Sequence, residues 1–263
     1  MKTKFALWIA ALGLMAVYSS ASATMFSDTY HGGNGHGYGD VIGPTTYDVH
    51  GMDASLSGSL LTVTIYTNFA GHAGGETQWT KNGTGIGYGD LFLSNGWNPN
   101  GSGPYDNDNA ANGNHWTYAF SLDDALDNSG GNGTVYALGA ASAGNHNPDV
   151  LLSNHFMDCA GKCIYRDGQA VAVNKSAATA TNNTGSWTVG NGFLSFSFDT
   201  TGLGLDPENF GFHWTMYCGN DVIEGLDPVT VPEPQPAGMF LFGMGLIGLV
   251  VARHRKAARA MGR

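Results

Sequence analysis

The sequence predicts an all-β protein, an antiparallel β-sandwich of jelly-roll type, and two observations support this prediction. Forty glycines in 263 residues, together with abundant Asn, Ser and Thr, indicate many turns and few long helices. Several short segments alternate apolar and polar residues with a period of two, as strands with one buried face do. Many short strands joined by turns are typical of a sandwich. We expect helices only in an N-terminal signal and in a C-terminal membrane segment.

The clearest strand is Leu60–Thr67, where Leu61, Val63 and Ile65 share one face. Phe193–Asp199 shows the same alternation. Further predicted strands lie at 115–122, 134–138, 186–189 and 209–217, and a hairpin is predicted in which 164–165 and 169–173 flank an Asp-Gly turn. Within this domain only the stretch 122–128 suggests a helix.

The N-terminus has the pattern of a secretory signal peptide. Lys2 and Lys4 precede the apolar stretch 5–18, and Ala21 and Ala23 form a small-residue cleavage site. Cleavage after Ala23 would remove residues 1–23. The sequence therefore predicts that secretion machinery exports a domain at 24–230, a length that suits one β-rich domain.

Charge is distributed unevenly along the chain. The range 24–230 holds four basic residues against twenty acidic ones, a net charge of −16. Nucleic acid and anionic membrane surfaces are poor partners for such a domain. Divalent cations, neutral glycans or simple solubility remain compatible with it.

A short proline motif follows the domain, and its four residues are Val231, Pro232, Glu233 and Pro234. The two prolines keep this segment extended and out of any helix, so that it can lie in the groove of an enzyme.

An apolar run and a basic cluster complete the C-terminus. The run 237–252 carries no charge and predicts a membrane helix of roughly 24 Å, slightly short of a ~30 Å hydrocarbon core. Arg253, Arg255 and Lys256 follow it and should remain in the cytoplasm, with the basic tail 253–263.

This order of motif, apolar helix and basic cluster resembles the PEP-CTERM sorting signal, which exosortases are thought to process in bacteria that export polysaccharide. The resemblance covers 231–256. It implies an exosortase-type processing enzyme as a partner, membrane anchoring before processing, and a cell-surface or extracellular location afterwards, in association with exopolysaccharide. An ordinary C-terminal anchor behind a proline-containing stalk is the alternative.

Three cysteines lie in the exported part of the chain. Cys159 and Cys163 are close enough in sequence to form a disulfide across one loop, which leaves Cys218 unpaired. Pairing of Cys218 with either of the other two stays open.

One segment gives an enzymatic alternative. Gly219-Asn220-Asp221-Val222-Ile223-Glu224 is similar to the E-x-D-x-x-E strand of laminarinase-like jelly-roll glycoside hydrolases, whose outer glutamates face a sugar-binding cleft. Asp221 and Glu224 match the second and third positions. Gly219 replaces the nucleophile, so a retaining mechanism lacks its second carboxylate. We therefore predict no catalytic residues and no enzyme activity.

Two binding hypotheses complete the predictions. The loop that holds Asp106, Asp108, Asn112 and Asn114 offers oxygen ligands that suit calcium, although a solvated loop is favoured and no cofactor is required. Tryptophans near polar loops could stack on sugar rings or pack in the core; they are Trp79, Trp97 and Trp116. The histidines show no metal-binding spacing, so we expect them to be surface or half-buried residues and predict no metal site.

A short internal echo also stands out. The hexapeptide that ends at Asp40 recurs in the one that ends at Asp90, as Gly-x-Gly-Tyr-Gly-Asp. We expect each Asp to cap a glycine-rich turn that leads into a strand.

Overall fold

The computed structural model describes residues 25–29, 40, 45–103, 105, 108–139, 150–152, 155–158, 165–166, 168–226 and 229. All of these belong to one compact unit, Ala23–Val231. The predicted signal peptide 1–23 and sorting segment 231–263 are not described, nor are Cys159 and Cys163. Among the described residues, no helix has the length and apolar character needed to cross a membrane.

The described residues contain twelve β-strands and two short 3₁₀ turns. In chain order the strands are β1 (Phe26–Ser27), β2 (Val49–Ser57), β3 (Leu60–Thr67), β4 (Leu91–Asn95), β5 (Tyr118–Leu122), β6 (Gly130–Ala137), β7 (Val150–Leu152), β8 (Ala170–Val173), β9 (Thr179–Gly190), β10 (Phe193–Asp199), β11 (Phe210–Thr215) and β12 (Val222–Leu226). The 3₁₀ turns are Thr77–Trp79 and Lys81–Gly83.

Ten of the strands form one antiparallel sheet in the order β1-β2-β3-β10-β9-β6-β5-β4-β11-β12, and β7 pairs with β8 in a separate two-stranded sheet. The prediction of an all-β, antiparallel fold is therefore confirmed. The jelly-roll sandwich is not confirmed, because the ten strands are hydrogen-bonded into one continuous sheet.

The large sheet curls around the main hydrophobic core. Alternation turns the odd-numbered apolar residues of β3 and the even-numbered residues of β10 and β11 to the inside, where they pack in one cluster. The two ends of the sheet approach each other: the backbone N–H of Val49, at the start of β2, donates to the carboxylate of Asp221, just before β12. Gly225 in β12 likewise faces the ring of Phe26, and a Cβ there would lie 2.3 Å from that ring.

The outer face of the sheet is also covered at β4, β5 and β11. Phe92 and Ala119 point away from the main core and pack with Trp116, Ala170 and Val173 in a second apolar cluster. Polar side chains on this outer face are therefore buried, which sets the position of the first candidate site.

Several predicted elements can be compared directly with these strands. Leu60–Thr67 and Phe193–Asp199 are confirmed with the predicted bounds. The predicted hairpin around 164–173 is wrong, because β8 pairs with β7, with Val150 opposite Val173. The predicted helix at 122–128 is also wrong: residues 123–129 form turns in which Asp124 and Asp127 accept the backbone N–H groups two residues ahead.

Candidate functional site

His213 and Glu224 lie opposite each other on β11 and β12, on the outer face of the sheet. Their side chains are almost fully buried, with 1% and 3% exposure. The ring of Trp116 and the ring of Phe92 flank the imidazole, with centroids 5.5 and 5.7 Å away. The covering cluster therefore keeps water from this pair.

One hydrogen bond joins the two side chains, and two more connect them to their surroundings. His213 Nδ1 lies 2.6 Å from Glu224 Oε2, and His213 Nε2 lies 2.6 Å from the carbonyl oxygen of Ala170. The indole N–H of Trp97 donates to Glu224 Oε1 at 2.9 Å. Because a carbonyl oxygen only accepts, Nε2 must carry a hydrogen, and an ionised Glu224 makes Nδ1 a second donor. The arrangement is a buried histidine–carboxyl pair that shares one hydrogen between Nδ1 and Glu224 Oε2.

The contacts of Asp221 and Glu224 can be compared with the glycoside hydrolase resemblance, in which the two residues belong to one catalytic strand. Asp221 and Glu224 share no partner: Asp221 accepts from Val49, whereas Glu224 accepts from His213 and Trp97. Both Glu224 oxygens are thus occupied by protein donors. The arrangement holds β11, β12 and the segment around Trp97 together, and Asp221 is not among the residues that line the small space around Glu224.

A second cluster lies where the two ends of the sheet meet. Asp28 follows β1, Asp221 precedes β12, and each offers a carboxylate oxygen within 4.8 Å of one from Asp40. The backbone N–H of Asp28 donates to the carbonyl of His50 in β2 at 3.2 Å. We call Asp28, Asp40 and Asp221 the carboxylate triad.

Arg166 supplies the positive charge beside the carboxylate triad. Its guanidinium donates to Asp40 Oδ1, and both side chains are buried, with 1% and 0% exposure. The same oxygen accepts the backbone N–H of Val222 at 3.0 Å. The triad therefore has one guanidinium beside it, paired with Asp40, and carries a formal excess of two negative charges when all three carboxylates are ionised.

The buried carboxylates hold protons more strongly than free ones. Burial raises the pKa of Asp40 to about 9, against the opposing effect of Arg166 and with a further contribution from the charge of Asp221. Burial and then the charge of Asp28 raise the pKa of Asp221 to about 8. These raised pKa values agree with a negative charge on the triad that the positive charge of Arg166 does not fully balance.

Asp90, the second Asp of the internal echo, is a structural acceptor. Its two carboxylate oxygens accept the backbone N–H groups of Leu122 in β5 at 2.9 Å and Val173 in β8 at 2.8 Å. Burial raises its pKa to about 6, although both backbone donors oppose the shift. The expectation that this Asp caps its own glycine-rich turn is wrong, because it joins two distant strands.

The predicted calcium loop uses its described oxygens internally. Asp108 Oδ1 accepts the backbone N–H of Asn100 at 2.7 Å, and Asn114 Oδ1 accepts that of Asn98 at 2.7 Å. Asn112 Oδ1 accepts from the backbone of Asn109 at 3.0 Å. These hydrogen bonds order the loop, and calcium binding there stays a prediction. Asp106 lies outside the described residues.

Two open hollows that share Asp123 lie on the surface. The first, about 360 Å³, is lined by residues that include Asn132, Tyr136 and Lys175. The second, about 420 Å³, is lined by residues that include His155 and Tyr217. We call them the paired hollows.

The aromatic surface of the second hollow is a stacked pair of rings. Phe156 and Tyr217 have centroids 3.9 Å apart and planes inclined by 17°. Burial raises the pKa of Tyr217, so its hydroxyl stays protonated and available as a donor. Neither residue belongs to a sequence motif, so nothing in the sequence marks them as binding residues.

The predicted sugar-stacking tryptophans have other surroundings. Trp116 is buried in the outer cluster, with 3% exposure. Trp97 is half-buried, binds Glu224 and packs edge-on against Tyr105 at 5.2 Å. Trp79 is half-buried and packs against the main core. Core packing, the alternative weighed for these residues, describes them better.

Cys218 is a free thiol buried in the main core. The predicted disulfide between Cys159 and Cys163 falls on residues that are not described, so it stays a prediction. The expectation for the histidines is wrong for His213, which is fully buried and paired with a carboxylate.

Comparison with known proteins gives one match. Residues 230–256 match the PEP-CTERM protein-sorting motif, the segment in which the sequence shows the proline motif, the apolar run and the first basic residues. No curated protein and no solved structure is detectably similar to the chain.

Proposed function

We propose a function from one premise: the chain is a PEP-CTERM domain-containing protein, and so an exported, cell-surface-directed protein that an exosortase sorts. On this proposal the β-sheet domain is the part of the chain that is exported to the cell surface, and it has no catalytic role. The segment 237–252 anchors the chain in the membrane until cleavage near Val231–Pro234 releases the domain to the cell surface or the extracellular matrix. The sorting motif at 230–256 carries this proposal.

The paired hollows support an association with extracellular polysaccharide. Aromatic faces stack on the apolar faces of sugar rings, while carboxylates, amides and ammonium groups bind their hydroxyls. Tyr136 and Tyr217 supply aromatic rings, and Asp123, Asn132 and Lys175 supply polar groups. Since neutral glycans do not oppose the acidic charge of the domain, they suit this surface.

Binding to the exopolysaccharide of the host tests the association. The full chain in detergent micelles should be retained on immobilised polysaccharide, and Tyr136→Leu with Tyr217→Leu should weaken retention at least tenfold. Tyr66→Leu is the matched control, because Tyr66 is half-buried on β3 and outside both hollows. Equal retention of all variants, or none by the wild type, would contradict the association without touching the sorting signal.

The alternative function is a divergent glycoside hydrolase, and Glu224 decides it. The full chain should show no turnover on a broad panel of polysaccharides. Turnover that Glu224→Gln abolishes, in a variant that remains folded, would replace the non-enzymatic proposal with the hydrolase.

A further inference from the structure

We propose that the carboxylate triad of Asp28, Asp40 and Asp221 is a calcium-binding site that joins the two ends of the sheet. The three residues come from distant parts of the chain, and their carboxylate oxygens lie within 4.8 Å of one another. Carboxylate oxygens are the hard ligands that Ca²⁺ prefers, whereas the set offers no nitrogen or sulfur for a softer metal.

The orientation of the buried oxygens is the second observation behind this site. Asp40 and Asp221 are both fully buried, with 0% exposure. Each uses one oxygen to accept a backbone N–H, from Val222 and Val49 respectively. The other oxygens, Asp40 Oδ2 and Asp221 Oδ1, have no donor among the described residues outside the triad, and Asp221 lies within hydrogen-bonding reach of the Asp40 and Asp28 carboxyl groups. A buried carboxylate oxygen without a donor is costly, and a cation removes that cost.

Charge balance also favours a divalent ion. With Arg166 paired to Asp40, the ionised triad keeps an excess of two negative charges, which one Ca²⁺ neutralises. Two protons bound to the carboxyl groups would balance the same negative charge. The two cases differ in whether calcium binds and raises the melting midpoint of the protein.

The position of the triad gives the ion a structural effect. Asp28 follows β1 and Asp221 precedes β12, the two outermost strands of the sheet order. No backbone ladder joins these edges in that order, so an ion held by both would close the sheet. Calcium is abundant outside the cell, where sites of about 10⁻⁴–10⁻³ M affinity are occupied.

Titration of the full chain in detergent micelles with CaCl₂ tests the site. Isothermal titration calorimetry should show one ion per chain with a Kd of about 10⁻⁴–10⁻³ M. At a calcium concentration about 100 times the Kd, the melting midpoint should rise by about 5–10 °C, and EDTA should reverse the rise. No binding heat and an unmoved midpoint would overturn the proposal in favour of the protonated triad.

Two variants, each of which removes one negative charge, test where the ion binds. Asp28→Asn should weaken calcium affinity at least tenfold, because it removes a charged ligand, and Asp28 is half-buried, so its replacement disturbs the core less than that of the buried Asp221. Asp127→Asn should bind as the wild type does, since Asp127 is exposed and caps a remote turn. Equal affinity of Asp28→Asn and Asp127→Asn would place the ion elsewhere and overturn the assignment.

Terbium gives a readout that does not depend on the folding of a variant. Tb³⁺ bound to the wild-type chain and excited directly should show a longer luminescence lifetime than free Tb³⁺, because carboxylates replace coordinated water, and calcium should abolish this slow component. A slow component that calcium does not remove, or none at all, would contradict a calcium site.

Discussion

Substitutions of Glu224 test the buried network of β11 and β12, and Glu224→Gln should leave it intact. The Gln Oε1 accepts the indole N–H of Trp97, and its amide nitrogen donates to Nδ1 of a neutral His213. The Nε2–H of His213 still donates to the Ala170 carbonyl, as in the wild type. We therefore expect the free energy of unfolding to change by less than about 1 kcal/mol.

Glu224→Leu should be far more damaging, although its volume is similar. It leaves the indole N–H of Trp97 and Nδ1 of His213 buried without the partner that each has now. Each unsatisfied group costs about 1–3 kcal/mol, so the two together should lower the free energy of unfolding by about 2–6 kcal/mol. A loss of about 4 kcal/mol lowers the melting midpoint by about 8–16 °C in a domain of this size.

Urea denaturation of the full chain, followed by tryptophan fluorescence and far-ultraviolet circular dichroism, measures both effects. Leucine should be the severe substitution and glutamine the mild one. Equal destabilisation by the two would refute the hydrogen-bond account, because the charge alone would then matter. A stable Glu224→Leu variant would refute the burial account.

Three further outcomes follow from named contacts. The raised pKa of Asp90, about 6 against 3.8 in the unfolded chain, makes its ionisation destabilising. The stability of the wild type relative to Asp90→Asn should therefore rise by about 2 kcal/mol as pH falls from 7 to 4, and a pH-independent difference would contradict this. Gly89→Ala should lower the free energy of unfolding by about 3 kcal/mol, because its Cβ would lie 2.0 Å from the Thr215 carbonyl oxygen. Gly58→Ala has open space around the new Cβ but a φ of 63°, and it should lower the free energy of unfolding by about 1–2 kcal/mol. Burial raises the pKa of Cys218 to about 12, so iodoacetamide should label it only after unfolding, and peptide mass spectrometry that finds native labelling would refute its burial.

The strands that the sequence predicted best have one buried and one exposed face. In β3 and β10 the buried and half-buried residues alternate strictly after the first position, and this alternation is visible in the residue types. In β11 all six residues are buried, because the outer cluster covers the second face. The alternation of Phe210, Phe212 and Trp214 still marked that strand, but nothing marked His213 as a buried residue between them.

The candidate sites depend on long-range pairing that the sequence does not show. His213 and Glu224 meet because the register of β11 and β12 sets them opposite each other. The carboxylate triad joins residues that are remote in sequence, as with Asp40 and the N–H of Val222, 182 positions apart. One sequence signal was present and was misjudged: both copies of the glycine-rich echo end in an Asp, and both are buried acceptors between distant segments.

The C-terminal sorting motif needed no such pairing, since its three parts follow one another in the chain. Its order of prolines, apolar run and basic residues predicted the match that the comparison found at 230–256. A signal that an enzyme reads as a linear segment can be recognised from the sequence alone.

The intact mass of the protein recovered from its native host tests the central claim most directly. If an exosortase processes the sorted chain, the mass should correspond to a form that lacks 1–23 and ends near Val231–Pro234, without the segment 237–263. Deletion of the exosortase should restore the mass of that segment. A mass from unaltered host cells that still includes Arg253–Arg263 would contradict processing and leave the tail as a plain membrane anchor.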